Sequence, residues 1–172
     1  GTTATDSSLH GNDGTLVHAS EWTDGVYAGA LNLNGVNDYV SIPDTAELAL
    51  ETFTVSAWVR VASHSIARDI VSKGEDGGSE GQNLYLRVAA DGTLSAGFEV
   101  DNGGQVDVSC ASAEVLTKWQ WHHVATRYDG TSLDLFLDGV PVAATASQAV
   151  PDANSHEIRI GAGDDVGFDF TR

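Results

Sequence analysis

The segment TDSSLHGNDGTL, Thr5 to Leu16, gathers two carboxylates, a side-chain amide, two serines, a histidine and a glycine between Asp6 and Asp13. Calcium takes about six to eight hard oxygen ligands at roughly 2.3–2.6 Å. Asp6, Asn12 and Asp13 are the candidate metal ligands, helped by carbonyls of a backbone that Gly11 and Gly14 allow to curl. His10 would add a carbonyl at most. The same residue types also build Asx-turns, in which Asp6 and Asn12 accept hydrogen bonds from nearby backbone N–H groups, so both arrangements are open. EF-hand spacing is absent, because the third position from Asp6 is Ser8 and no glutamate stands at the twelfth.

A second set lies on runs of alternating polarity. Trp58 and Arg60, Tyr85 and Arg87, Glu99, and Phe136 between Asp134 and Asp138 fall opposite the aliphatic residues of their runs. An aromatic and arginine face on a sheet can stack on a sugar ring or grip a peptide. Trp58, Arg60, Tyr85 and Arg87 are therefore the candidate ligand-binding residues, against the plainer alternative that they cover a second face or meet another domain. Asn37-Asp38 and Pro43-Asp44 offer further oxygens, read here as strand-end caps rather than a second ion site. Glu75, Asp76 and Glu80 make an acidic loop, read as solvated.

Hydrolysis of a glycoside with retention needs two carboxyls about 5–5.5 Å apart. A Glu-x-Asp-x-Glu strand would supply them, but Glu99-Val100-Asp101 is followed by Gly103 and the second glutamate is missing. No Gly-x-Ser-x-Gly elbow or phosphate loop occurs. His122 and His123 are neighbours on one run, so they point to opposite faces and cannot easily share a metal. No enzyme is expected.

The elements that carry these residues are strands. In FTVSAWVRVA, Phe53, Val55, Ala57, Val59 and Val61 alternate with Thr54, Ser56, Trp58 and Arg60, the period of a half-buried strand. Similar runs are NLYLRVAA, TLSAGFEV, QVDVSC, WQWHHVATRY, SLDLFLD, VPVAAT and HEIRIG, with shorter ones at ALNLN, DYVSI and RDIVS. Asp91-Gly92, Asn102-Gly103, Asp129-Gly130 and Asp138-Gly139 mark tight hairpins between them. Only VSIPDTAELAL could hold a helical turn. The reading is all-β and antiparallel, two sheets packed face to face, in one domain over residues 1–172.

A formal charge of -17, from 25 acidic against 8 basic residues, disfavours nucleic acid and anionic membrane surfaces. It tolerates neutral sugar or peptide and attracts cations; solubility in a saline habitat is the alternative cause of the charge. Cys110 is the single cysteine, so no intrachain disulfide can form, and its apolar run predicts a buried, inert thiol. No apolar run approaches the ~18 residues of a membrane span, and no signal pattern opens the sequence. Any export signal would belong to a longer precursor.

Read in order, DSSLHGNDGTL, GALNLNGVNDYVSIP, FTVSAWVRV, IVSKGE, WHHVATRYDGTSLDLFLDGV and IRIGAG resemble the laminin G-like, concanavalin A-like jelly-roll family. The resemblance implies a β-sandwich of two curved antiparallel sheets, secreted or displayed at a cell surface, that binds carbohydrate or protein as part of an adhesin or a multidomain protein. It also implies a bound calcium, with Asp6 and Asn12 at the matching positions, and makes the WHHVA run core packing. Family members usually begin with one more strand and close with another, both absent here. The chain then reads as a fragment with an exposed sheet edge, completed by other domains or by an edge strand from the same parent protein. A structural spacer without a ligand is the alternative reading, and a glycoside hydrolase the third.

Overall fold

The computed structural model describes residues 1–18, 20–74, 81–100 and 108–163. Glu75, Asp76, Glu80, Asp101 and the Asn102-Gly103 turn lie outside these described residues.

Period-2 alternation becomes strand wherever one face can be buried. In chain order the strands are β1 (Thr3–Ala4), β2 (Gly14–Val17), β3 (Glu21–Asp24), β4 (Gly29–Asn32), β5 (Tyr39–Ile42), β6 (Phe53–Val59) and β7 (Arg68–Lys73). They continue as β8 (Leu84–Val88), β9 (Thr93–Phe98), β10 (Val108–Val115), β11 (His122–Tyr128), β12 (Ser132–Leu137), β13 (Val140–Ala146) and β14 (Ile158–Ile160). The expected helical turn is a single 3-10 turn at Ala46–Leu48.

Two antiparallel sheets form a β-sandwich. One has eight strands in the order β1-β2-β5-β14-β7-β8-β9-β10, the other four in the order β13-β12-β11-β6. A separate hairpin, β3–β4, pairs Trp22 with Leu31 and Asp24 with Gly29. The four-stranded sheet packs over the β7–β10 half of its partner, with β13 and β12 against β10 and β6 against β7. β6 ends the smaller sheet, and among the described residues only β11 pairs with it.

The core lies between these layers. Leu84, Leu86, Val88, Leu94, Ala96 and Phe98 come from the larger sheet, and Phe53, Val124, Tyr128, Leu133 and Leu135 from the smaller. Phe98 meets Tyr128 at 4.6 Å with the rings tilted by 52° and Phe53 edge to face at 6.3 Å, so one aromatic trio ties three strands across the sandwich. Burying each such ring contributes roughly 1.5–3 kcal/mol. Cys110 belongs to the same core, and burial pushes its thiol up to about 11.

Three details differ from the sequence reading. The strand expected from Trp119 begins at His122, because Trp119 takes a φ of 65° and breaks the extended run. β10 runs on past Cys110 to Val115. β3 had no clear alternation; it exists because its hairpin partner β4 supplies hydrogen bonds that a lone EWTD segment lacks. Among the described residues no helix is long and apolar enough to cross a membrane.

Candidate functional site

The β3–β4 hairpin folds against the end of the sandwich beside β6 and leaves a cleft of ≈ 660 Å³. All four tryptophans of the chain line it: Trp22 from the hairpin, Trp58 from β6, and Trp119 and Trp121 from the turn before β11. Tyr27, at the hairpin tip, is the fifth ring.

Each ring is placed by backbone. The hairpin turn is closed by the Gly25 N–H donating to the Ala28 carbonyl at 2.6 Å, which projects Tyr27 towards Trp58, 5.9 Å away edge to face. Trp58 points outward from β6, and His123, its register partner on β11, supports it at 5.4 Å between rings. Trp119 donates its N–H to the Val61 carbonyl at 2.9 Å, which holds its strained backbone and leaves the indole exposed. The Arg60 guanidinium covers one face of Trp121 at 5.2 Å.

The predicted ligand-binding residues divide. Trp58 and Arg60 line the cleft. Tyr85 and Arg87 lie on β8 in the other sheet, on the face away from the core. Tyr85 is buried, lying so close over Gly97 that a Cβ there would fall 2.7 Å from its ring. Arg87 covers that ring at 5.0 Å and forks onto Asp69 with Nε–Oδ1 2.5 Å and Nη2–Oδ2 3.1 Å. These four residues therefore do not form one binding face, because sheet membership, which alternation within a strand does not reveal, separates them.

The Asp6 loop is closed by its own hydrogen bonds. Asp6 Oδ1 accepts the Ser8 N–H at 2.7 Å, and Oδ2 accepts the Ser8 hydroxyl at 2.6 Å and the Asn12 N–H at 2.9 Å. Asp13 Oδ1 in turn accepts the Asp6 N–H at 2.7 Å. These bonds, the Ser8 hydroxyl first, push the Asp6 carboxyl down to about 2. This is the Asx-turn arrangement, with N–H and O–H donors facing the carboxylate. The oxygens of Asp6, Asn12 and Asp13 are of the type calcium takes, and in this turn those of Asp6 accept the Ser8 and Asn12 donors. Among the described residues no three His, Cys, Asp or Glu side chains group to hold a metal.

The other oxygens are also engaged. Asn34 Oδ1 accepts the N–H groups of Val36, Asn37 and Asp38, while Asp38 accepts the Asn34 N–H, so that turn caps itself. Asp44 pairs with the buried Lys73 ammonium at 2.9 Å. Glu99 is fully buried, and its carboxylate accepts the Gln82 N–H at 2.9 Å, away from the cleft lining. His122 and His123 diverge as adjacent strand residues must. His122 joins Asp138 and the Thr117 N–H, while His123 rests on Trp58 rather than in the core.

Sequence reading missed Trp22, Tyr27, Trp119 and Trp121 as partners of Trp58. The available signal was the Trp-x-Trp spacing at 119 and 121 and the run SEWTDGVYAG, whose two large aromatics flank a turn.

A family model described as the Concanavalin A-like lectin/glucanases superfamily matches residues 34–171. Among solved structures the fold is similar to the binding domain of Paraclostridial Mosquitocidal Protein 1, with a TM-score of 0.75 and 15% identity, over 92% of this chain and 42% of that one. It is similar also to domain 4 of AbnA, a GH43 extracellular arabinanase from Geobacillus stearothermophilus, in complex with arabinotriose. There the TM-score is 0.64 and the identity 16%, over 87% of this chain and 73% of that one. A third likeness is the CBM40 of Ruminococcus gnavus IT-sialidase bound to α2,3-sialyllactose, with a TM-score of 0.55 and 16% identity, over 65% of this chain and 64% of that one. The chain thus spans under half of the toxin chain and under two thirds of the sialidase module. Among curated proteins nothing matches.

Proposed function

This chain belongs to the concanavalin A-like lectin/glucanases superfamily, and from that membership we propose that it is a non-catalytic carbohydrate-binding module whose sugar occupies the cleft beside β6. The observation that carries the reading is the convergence of five rings. Trp22 is 52% exposed, Trp58 40%, Trp119 69% and Tyr27 84%, and all line one concave surface. Large aromatics left in water at one place mark an interaction site. Indole and phenol faces offer a sugar ring apolar contact area with a polar handle at the edge. Two structural neighbours are complexes with arabinotriose and with sialyllactose, which supports a saccharide as the ligand class, and one belongs to an extracellular arabinanase, which supports a secreted or surface-displayed parent protein, such as an adhesin or a multidomain hydrolase.

The test is tryptophan fluorescence during titration with an array of neutral oligosaccharides, since all four reporters line the site. A saturable emission shift lost in Trp119→Ala and Trp22→Ala supports the reading. A silent array, with no captured partner, favours a spacer.

One observation favours a second reading, in which a protein strand is the ligand. Among the described residues β6 pairs on one edge alone, and Val59, Val61 and Ile70 line the cleft only half-buried. An extended segment of the parent protein pairing with β6 would cover them. Loss of amide exchange along β6 on adding such a peptide, without response to sugars, would select this reading.

Calcium at Asp6, Asn12 and Asp13 is a separate proposal, supported by donor type alone. The ion would replace the hydrogens that now face Asp6. A melting temperature unmoved by chelator at low salt sets it aside.

A further inference from the structure

We propose that the cleft carries an anion subsite, built by Arg68 and Arg60, that selects acidic over neutral glycans. This inference rests on the carbohydrate reading above and adds a ligand class to it.

The charge of the lining runs against that of the chain. Acidic residues outnumber basic ones 25 to 8 overall. Yet among the described residues lining the cleft, Asp69 is the one carboxylate, and the Arg87 fork already holds it. Arg60 and Arg68 line the same cleft.

The rest of the cation inventory sharpens this. Lys73 pairs with Asp44, Arg87 with Asp69, Arg127 with Asp134 and Arg159 with Glu157. Among the described residues Arg60, Arg68 and Lys118 have no ion pair. Two of these three face the aromatic cleft. In a molecule with abundant carboxylates, a guanidinium without one is conspicuous, because pairing is available almost everywhere on its surface.

Both guanidinium groups are nonetheless positioned. Arg68 opens β7, and its Nη1 donates to the Gly35 carbonyl at 2.9 Å. Gly35 has a φ of +68°, and a Cβ there would lie 2.3 Å from Nη1, so the absence of a side chain makes room for the charge. A guanidinium has five N–H donors in a planar fork, and this contact uses one. Arg60 follows β6 directly, and its guanidinium lies over the Trp121 ring at 5.2 Å, a contact that consumes no N–H donor. Planar forks recognise carboxylate and sulfate oxygens in pairs, and neighbouring rings can stack on the sugar that bears the anion. The shared chemistry is an oxyanion on a saccharide, from either a uronic-type carboxylate or a sulfate ester.

The experiment compares matched probes by tryptophan fluorescence at low salt: galacturonate oligosaccharides against their methyl esters, and sulfated against unsulfated dextran oligosaccharides. Expected is at least a tenfold lower midpoint for the acidic member of one pair, weakening as salt rises. Which pair responds identifies carboxylate or sulfate. Arg68→Gln and Arg60→Gln should each reduce the ratio of acidic to neutral affinity severalfold, and Arg127→Gln, on an ion pair outside the lining, should preserve it. Arg60→Gln removes no backbone contact, so it keeps the test valid if Arg68→Gln fails to fold by circular dichroism. Equal midpoints within both pairs overturn the subsite and leave the carbohydrate reading standing. Silence from every probe overturns both. Poly-glutamate binding as tightly as the acidic sugar overturns the subsite as a glycan site and points to an acidic peptide.

Discussion

Tyr27 at the tip of the β3–β4 hairpin meets Trp58 on β6 edge to face, with 5.9 Å between ring centroids. This contact joins a two-stranded hairpin, too small to be stable alone, to the sandwich and so defines the mouth of the cleft. Tyr27→Ala should cost only about 1 kcal/mol of global stability. It should raise amide exchange across residues 21–32 much more than elsewhere, while Tyr27→Phe should not. Uniform exchange in both variants would mean that the hairpin is held by other contacts.

Trp119 sits at a φ of 65° and the residue is 69% exposed. Asparagine tolerates this left-handed backbone better than tryptophan. Trp119→Asn should therefore leave urea stability unchanged or raise it by about 1 kcal/mol. Affinity for any oligosaccharide bound in the cleft should fall at least tenfold, about 1.4 kcal/mol. A loss of stability equal to the loss of binding would contradict a strained residue kept for its ligand contact.

Lys73 is wholly buried, and its ammonium touches Asp44 at 2.9 Å, the Asn154 carbonyl at 3.0 Å, Asn154 Oδ1 at 2.8 Å and the His156 carbonyl at 3.0 Å. Lys73→Met fills the volume but removes the donor to the Asn154 and His156 carbonyls and the charge that faces Asp44, while Asn154 Oδ1 keeps the His156 N–H. Destabilisation of about 3 kcal/mol is expected in urea unfolding. Asp44→Asn should cost less, because Asp44 is 31% exposed and partly solvated.

Burial, with the Asp134 charge behind it, raises the Cys110 thiol from 9.0 to about 11. A raised acid favours its protonated form in the fold. Its contribution to stability is complete below pH 9 and is lost as pH rises from 9 towards 11. A thiol reagent at pH 8 should leave Cys110 unmodified in the native protein and label it fully in urea.

Asp6 shows the opposite sign. Its carboxyl is lowered from 3.8 to about 2, chiefly by the Ser8 hydroxyl. The loop closure it supports is present above pH 3.8 and is lost as pH falls towards 2. Ser8→Ala should move the Asp6 midpoint, read by carboxyl NMR titration, back towards 3.8.

The strand runs were legible because alternation is a local property, and so were the hairpins at Asp91-Gly92, Asp129-Gly130 and Asp138-Gly139 and the burial of Cys110. The Asp6 loop was legible as a choice between hydrogen-bonded turn and ion clasp. Residue types permit both, and only atomic positions show Ser8 and Asn12 donating to the carboxylate. Trp119 was misplaced on a strand because its neighbours alternate well; the cost of its positive φ is repaid by a hydrogen bond to Val61, 58 positions away by sequence number.

The sequence by itself determined an acidic, all-β, antiparallel sandwich without disulfides, since period, turn chemistry and composition act over a few residues at a time. It also placed Trp58 and Arg60 on one strand face. Only the tertiary structure decided that Tyr85 and Arg87 belong to the other sheet, and that Trp22, Tyr27, Trp119 and Trp121 join Trp58 around one cleft. Sheet membership and the docking of a hairpin depend on contacts between residues far apart in the chain, and these are settled by packing rather than by any local pattern.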